Sequence, residues 1–444
     1  MIKYLPTIGP ACSDHKSLEI ILERTSIVRL NGSHNTLDWH KSTMENIKLI
    51  NPNAVILFDF PGIKPRTQNQ ANIDIKQGDT ITFQESNTKA LNDSIFVSNS
   101  IPKTTNQPAT FSVNDGQFMF DNVTIGPDWI KGISQQNFTL EPHKGLNVPY
   151  SEYDEEKQIQ IYMDFYSRVE EFSFDAIGLS FIQSPKTMEI IKTSIPEKIL
   201  IAKIENKIGH INSESIAKIA DGIMIDRGDL AAEVGGSELY DAVLHIAQTT
   251  KKNGKFLIMA TENLESFIYD RQPTLSEIMS LSHSLDIGSS VIMLSGETAT
   301  NQKWIEVLDW MDQFTTGDRQ DLTDSSSDVI QTMTDFDSLR TVIFSRSGAA
   351  VEEFRKKSNS EIILVTDNIQ TFKRFQFHSN IQTILEDDKF SRDDMDYIRN
   401  SCSKLYSSGL LVDDVIRVLW IAFPGKNARL NTISILKKEY ILDK

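Results

Sequence analysis

Eight short runs of uninterrupted apolar residues, each followed by a stretch long enough for a helix, constrain this chain more than any other feature. They read Tyr4-Leu5-Pro6-Thr7-Ile8, Ser26-Ile27-Val28-Arg29-Leu30, Ala54-Val55-Ile56-Leu57-Phe58 and Asp175-Ala176-Ile177-Gly178-Leu179. The other four are Ile199-Leu200-Ile201-Ala202, Asp221-Gly222-Ile223-Met224-Ile225, Phe256-Leu257-Ile258-Met259-Ala260 and Ser290-Val291-Ile292-Met293-Leu294. A strand that faces water on one side alternates apolar and polar residues, whereas a continuous apolar run suits a strand covered on both faces. Eight such strands alternating with helical spacers predict an α/β fold of the (β/α)8, or TIM-barrel, kind. Within the spacers, 208–219 and 262–269 carry apolar residues at three-to-four spacing and predict helices.

The gap between the third and fourth runs has a different texture. From about Thr67 to Pro149 the pattern alternates, as in Asp79-Thr80-Ile81-Thr82-Phe83 and Asn137-Phe138-Thr139-Leu140-Glu141, and Asn114-Asp115-Gly116 is a hairpin signal. A structureless loop of that length is improbable, so a small all-β domain over 67–149 is predicted to interrupt a barrel built from 1–66 and 150–322. Polar Thr323-Asp324-Ser325-Ser326-Ser327-Asp328 reads as a linker to a C-terminal α/β domain over 329–444. Its expected strands are Thr341–Phe344, Glu361–Val365, Ile381–Leu385 and Val415–Leu419.

Composition narrows the function. With 45 Lys and Arg against 61 Asp and Glu, the 444-residue chain carries a formal charge of −16, which argues against a nucleic-acid partner. No apolar run approaches the roughly 18 residues needed to span a bilayer. The opening Met1-Ile2-Lys3-Tyr4-Leu5-Pro6 lacks a signal-peptide pattern, and two cysteines, Cys12 and Cys402, are too few for a disulfide framework. The expectation is a soluble, cytoplasmic protein with no membrane partner.

In such barrels the active site sits at the carboxyl ends of the strands. There the sequence places Arg29-Leu30-Asn31-Gly32-Ser33-His34, then Asp59 and Arg66, then Lys203-Ile204-Glu205, Arg227-Gly228-Asp229, Thr261 and Ser295-Gly296-Glu297-Thr298. Lys203 and Glu205, two apart on a strand, point to the same side. Alone they are readable as an ion pair. With Asp229 they give two carboxylates from adjacent strands, a set that suits Mg²⁺ or Mn²⁺ retaining water and substrate oxygens. Gly228-Asp229 opens a helix whose free N–H groups are placed to hold an anion, and the neighbouring Lys and Arg would offset charge on a transferring phosphoryl group.

These residues resemble the pyruvate kinases. The resemblance covers nearly the whole chain and rests on seven ordered motifs. They are Thr7-Ile8-Gly9-Pro10-Ala11-Cys12; Arg29 to His34; Asp59-Phe60-Pro61-Gly62-Ile63-Lys64-Pro65-Arg66; Lys144-Gly145-Leu146-Asn147-Val148-Pro149; Ala202-Lys203-Ile204-Glu205-Asn206; Asp221 to Met224 with Arg227-Gly228-Asp229-Leu230; and Ala260-Thr261 with Met293 to Ala299.

The resemblance implies transfer of a phosphoryl group from phosphoenolpyruvate to ADP, giving pyruvate and ATP, in a homotetramer or other homo-oligomer. By the same resemblance, Glu205 and Asp229 hold the divalent metal, and Lys203 and Arg29 act at the phosphoryl group. Gly228, Asp229 and Thr261 hold the substrate carboxylate, while Arg29, Asn31, His34 and Lys144 face the nucleotide. Asn31, Ser33, Asp59 and the carbonyl of Phe60 match the monovalent-cation site. Lys64 stands where the family pairs glutamate with potassium dependence and lysine with independence. An ammonium supplies the same unit charge and repels K⁺, so activity without K⁺ is expected.

Departures from the family pattern keep two alternatives open, a paralogue with an altered substrate and a non-catalytic phosphoenolpyruvate or nucleotide sensor. Asp226 replaces a small apolar residue; pointing inward it adds negative charge beside the substrate, and pointing outward it meets a neighbouring helix. Glu262-Asn263 and Gln183 also differ, and Leu275 replaces an arginine near the family's subunit interface. In Ser345-Arg346-Ser347-Gly348-Ala349-Ala350, alanines stand where the family's phosphate-binding loop has hydroxyls, so weak sugar-phosphate activation is expected.

Overall fold

The computed structural model describes residues 3–86, 94–104, 108–269, 272–316, 339–356, 358, 360–386, 391, 394–420 and 432–442. Two compact units emerge. One spans Tyr4–Val307, and the other gathers the described residues from Leu308 onward with Lys3. The linker expected at Thr323–Asp328 lies outside the described residues.

All eight apolar runs form strands of a single sheet: Lys3–Pro6, Ile27–Asn31, Val55–Phe60, Ala176–Leu179, Ile199–Ile204, Gly222–Asp226, Phe256–Ala260 and Val291–Leu294. In chain order their spatial sequence is first, eighth, seventh, sixth, fifth, fourth, third, second. Thr7 bridges to Arg29 in parallel and Ile8 N donates to the Arg29 carbonyl at 2.8 Å, which brings the first strand against the second and closes the ring. The third through seventh strands are buried at every position, the state that continuous apolarity demands. Burying each such Ile, Leu or Val contributes about 1.5–3 kcal/mol. This barrel confirms the expected TIM-barrel class.

The spacers are helical for local reasons. Asp14, Thr36, Asp154, Ser184, Asn206 and Thr274 each cap a helix by accepting a backbone N–H. Two spacers differ from the sequence reading. The helix expected over 208–219 breaks at Asn212 into Lys207–Ile211 and Ser213–Ile219. The helix expected over 262–269 shrinks to a 3₁₀ turn, Glu265–Tyr269. Thr261 and Glu262 adopt positive φ of 57° and 51°, and Asn263 spends its side-chain amide on the Met293 carbonyl at 2.7 Å. A helix cannot begin there.

Between the third and fourth strands lies a six-stranded sheet. Its order is Leu146–Asn147, Phe111–Val113, Phe118–Ile125, Trp129–Ser134, Thr80–Glu85, Ser94–Val97. Phe83, Phe111, Phe120 and Ile130 centre its own core. The Asn114-Asp115-Gly116 signal turns the antiparallel pair Phe111–Val113 and Phe118–Ile125, with φ of 56°, 53° and 88°.

The second unit carries a five-stranded sheet ordered Ile381–Leu385, Ile362–Thr366, Thr341–Phe344, Val415–Trp420, Thr432–Lys437. Four of these strands were expected; Thr432–Lys437, paired antiparallel at the edge, was not. In the Ser345–Ala350 turn, Gly348 N donates to Ser345 Oγ at 3.1 Å and Arg374 donates to the Ser347 carbonyl at 2.6 Å. No helix among the described residues is long and apolar enough to cross a membrane. Cys12 and Cys402 are buried free thiols, as packing alone predicts.

Candidate active site

A cleft of about 1300 Å³ opens at the carboxyl ends of the strands, between the barrel and the inserted sheet. Its lining includes Arg29, Asn31, Ser33, His34, Lys64, Arg66, Lys203, Glu205, Gly228, Asp229 and Thr261. Most residues singled out from sequence therefore converge there. Asp59 and Phe60 lie just beneath. Lys144 does not line the cleft; its Nζ pairs with Glu141 at 2.8 Å, while its neighbour His143 faces the opening.

Lys203 lies at the centre of the charges. Its Nζ is 2.8 Å from Glu205, 3.4 Å from Asp59 and 3.9 Å from Asp226. Burial alone would discharge this lysine, but Asp59, Glu205 and Asp226 outweigh it and hold the pKa above the usual lysine range. Arg29 closes the group, donating from Nε at 2.9 Å and Nη2 at 2.6 Å to Asp59 Oδ2, and from Nη1 to Thr7 Oγ1 at 2.9 Å. The two cations hold the buried Asp59 carboxyl below its ordinary pKa against desolvation. Ser180 Oγ donates to the Phe60 carbonyl at 3.0 Å.

Glu205, Asp226 and Asp229 bring carboxylate oxygens within 4.8 Å of one another. Burial pushes the Glu205 carboxyl up; Lys203 opposes this, and Asp226 and Asp229 add to it. Three hard oxygen donors, one of them also accepting from Phe181 N at 2.6 Å, fit a Mg²⁺- or Mn²⁺-sized cation. An ion of that kind would relieve the like-charge repulsion within the group.

Lys64 reaches across to the inserted sheet. Its ammonium is 2.8 Å from Asp115 and also contacts Asp229, with only 3% of its side chain exposed. Desolvation disfavours its charge, yet these two carboxylates raise its pKa above the ordinary value. A Cβ on Gly145 would fall 2.4 Å from Lys64 Cε, so glycine there is what lets the returning chain pass the lysine.

Sequence reasoning missed Asp115, Ser180 and Glu233, and left the direction of Asp226 open. Asp226 points inward. Glu233 is fully buried, with Oε1 accepting from Asn147 Nδ2 at 3.3 Å and Oε2 unpartnered among the described residues. Burial pushes its carboxyl up to about 8; Lys64 and the Asn147 hydrogen bond oppose the shift, and Asp229 reinforces it. Nothing in the apolar pattern marks this residue.

Fold and cleft together define a (β/α)8-barrel protein with an inserted all-β sheet and a mouth where buried cations and carboxylates meet. The model of the pyruvate kinase barrel domain matches residues 1–307, and the chain belongs to the pyruvate kinase family. A pyruvate kinase of Thermotoga maritima is 24% identical over 467 residues, covering 98% of this chain and 99% of its own. One from Thermococcus litoralis is 28% identical over 321 residues, covering 70% and 68%. The crystal structure of a pyruvate kinase from Cryptosporidium parvum superposes with a TM-score of 0.81 at 23% identity, covering 98% of this chain and 96% of that one, and so agrees in fold.

Proposed function

We propose that this chain moves the phosphoryl group of phosphoenolpyruvate to ADP, with a divalent cation and without potassium. The observation that carries the reading is the Lys203 ammonium, kept charged 2.8 Å from Glu205 at a mouth that also holds Arg29 and Asp229. Glu205 and Asp229 would hold Mg²⁺, which when bound neutralises charge on phosphoryl and carboxylate oxygens. Lys203 and Arg29 would face the transferring group as fixed cations, lowering the barrier by electrostatic preorganisation. A lysine this strongly held in its charged form is a poor proton donor, so its work is electrostatic. The backbone N–H groups of Gly228 and Asp229, at the start of the helix Arg227–Val234, would receive the substrate carboxylate. Asn31, His34 and Arg66, which line the cleft, would face the nucleotide. Lys64 would supply, as a covalently attached cation, the charge otherwise provided by K⁺; by the resemblance, Asn31, Ser33, Asp59 and the Phe60 carbonyl would be the oxygens of the monovalent-cation site. Assembly as a homo-oligomer belongs to the same reading.

The test is a lactate-dehydrogenase-coupled assay with phosphoenolpyruvate, ADP and Mg²⁺, run beside Lys203→Met. Activity that falls about a hundred- to a thousand-fold in the variant is expected, of the order assigned to removal of one electrostatic stabilising group. A wild type inactive with every nucleoside diphosphate removes the reading. The inward-pointing Asp226 favours a second reading, a paralogue acting on another phosphorylated acid. A panel of such acids with ADP separates the two.

A further inference from the structure

Asp226 occupies the N-cap position of the helix Arg227–Val234, where an aspartate ordinarily accepts a backbone N–H from the first turn. Here it makes no such bond. Its carboxylate turns instead toward the cleft. Oδ1 accepts from Thr261 Oγ1 at 3.0 Å, and Oδ2 lies 3.9 Å from Lys203 Nζ. Thr261 Oγ1 in turn accepts from Gly228 N at 3.1 Å. The hydroxyl is held there by the left-handed backbone at Thr261 and Glu262, a conformation that costs on the order of 1–3 kcal/mol per residue outside glycine. The nearest atoms to an imagined Cβ on Gly228 are Asp226 Oδ1 at 3.7 Å and Thr261 Oγ1 at 3.8 Å. A protein carboxylate therefore already lies over the turn whose donors are suited to a ligand's carboxylate, and it lies within 4.8 Å of the Glu205 and Asp229 oxygens.

We propose that Asp226 takes the place of a substrate carboxylate, engaging the Thr261 hydroxyl and supplying a third protein oxygen to the divalent cation held by Glu205 and Asp229. This rests on the reading above for the cation alone; at the substrate carboxylate it departs from that reading and goes with the second one, a paralogue acting on another phosphorylated ligand. Two consequences follow. The cation binds before substrate and without its help, because affinity rises with the number of charged ligands. A substrate carboxylate entering this turn meets a like charge and a hydroxyl already engaged, so the site favours phosphorylated ligands that do not need a carboxylate on the metal.

The experiment is a Mn²⁺ titration followed by electron paramagnetic resonance on the substrate-free protein, with and without oxalate as the probe carboxylate. Wild type, Asp226→Ala and Asp226→Asn are compared, with near-ultraviolet circular dichroism confirming that each is folded. Asp226→Asn keeps the residue's volume and an oxygen for Thr261, so it loses the charge alone. Both variants are expected to bind Mn²⁺ at least about ten-fold more weakly than wild type. In Asp226→Ala, oxalate restores the affinity, and Mn²⁺ strengthens oxalate binding by the same factor, as linkage requires. In the wild type the two bind without mutual strengthening. Mn²⁺ affinity in both variants within two-fold of wild type overturns the proposal, as does equal coupling to oxalate in wild type and Asp226→Ala. The titration needs no turnover. An inactive chain that still shows the Asp226-dependent coupling removes the phosphoenolpyruvate reading and keeps this one; an active chain without it does the reverse.

Discussion

Glu233→Gln should change the pH dependence of stability in a direction fixed by burial. The carboxyl titrates at about 8 in the folded chain, against about 4.3 for an unfolded glutamate. A carboxyl raised on folding binds its proton more tightly in the native state. Its favourable contribution is complete below the unfolded pKa and is lost as pH climbs through the folded one. Each unit of that difference is worth about 1.4 kcal/mol, so from pH 5 to pH 9 the wild type loses about 4 kcal/mol through this group alone. Glutamine keeps the acceptor for Asn147 and does not titrate. The barrel unit has roughly 300 residues, and unfolding entropy near 2 cal/mol/K per residue makes about 0.6 kcal/mol/K. The midpoint of Glu233→Gln should therefore gain about 6 °C on that of the wild type between pH 5 and pH 9. Differential scanning calorimetry of both proteins across that range reads the gap directly, and comparing the two cancels every other titrating group. Curves that run parallel would refute the reasoning, because a change of packing at a fixed ionisation state shifts stability equally at every pH and opens no widening gap.

Gly178→Ala would place a Cβ 1.9 Å from Asp59 Oδ1, on a fully buried strand. The Asp59 carboxylate must then move from Arg29 and Lys203, at an expected cost of about 1–3 kcal/mol, visible as a lower melting midpoint. Lys64→Ala should convert a potassium-insensitive activity into one that KCl stimulates about ten-fold over choline chloride at equal ionic strength, equivalent to about 1.4 kcal/mol; equal rates in the two salts would contradict the role given to Lys64. Thr274→Ala breaks a reciprocal cap in which Thr274 N also donates to Glu277 at 2.6 Å, and should cost about 1 kcal/mol by calorimetry with kinetic constants unchanged.

The barrel was legible because its signal is one-dimensional. A strand covered on both faces must be apolar at each position, and Val55-Ile56-Leu57-Phe58 or Phe256-Leu257-Ile258-Met259 can hardly be read otherwise. Lys203 and Glu205 were legible for a similar reason, since alternation alone puts them on one face. The edge strand Thr432–Lys437 is half polar and was passed over. Lys64 meeting Asp115 was hidden, because 51 residues separate them and only the folded hairpin turn brings the aspartate back. Asp226 sits where two local rules compete: as the last strand residue it shares a face with Met224, and as a helix N-cap it should turn to the backbone. Its direction is decided by Thr261 and Lys203, which arrive from other strands. Glu233 left no trace in the pattern because its side-chain partner, Asn147, lies 86 residues away in sequence.

Two buried side chains beside Asp229 carry opposite charges: the Lys64 ammonium contacts it, and the Asp226 carboxylate lies within 4.8 Å of its oxygens. Both are buried, and an unmatched buried charge costs several kcal/mol. The pair is thus an electroneutral cassette. Grafted singly into a relative, either half would leave the graft off balance by a unit charge; grafted together, they would cancel.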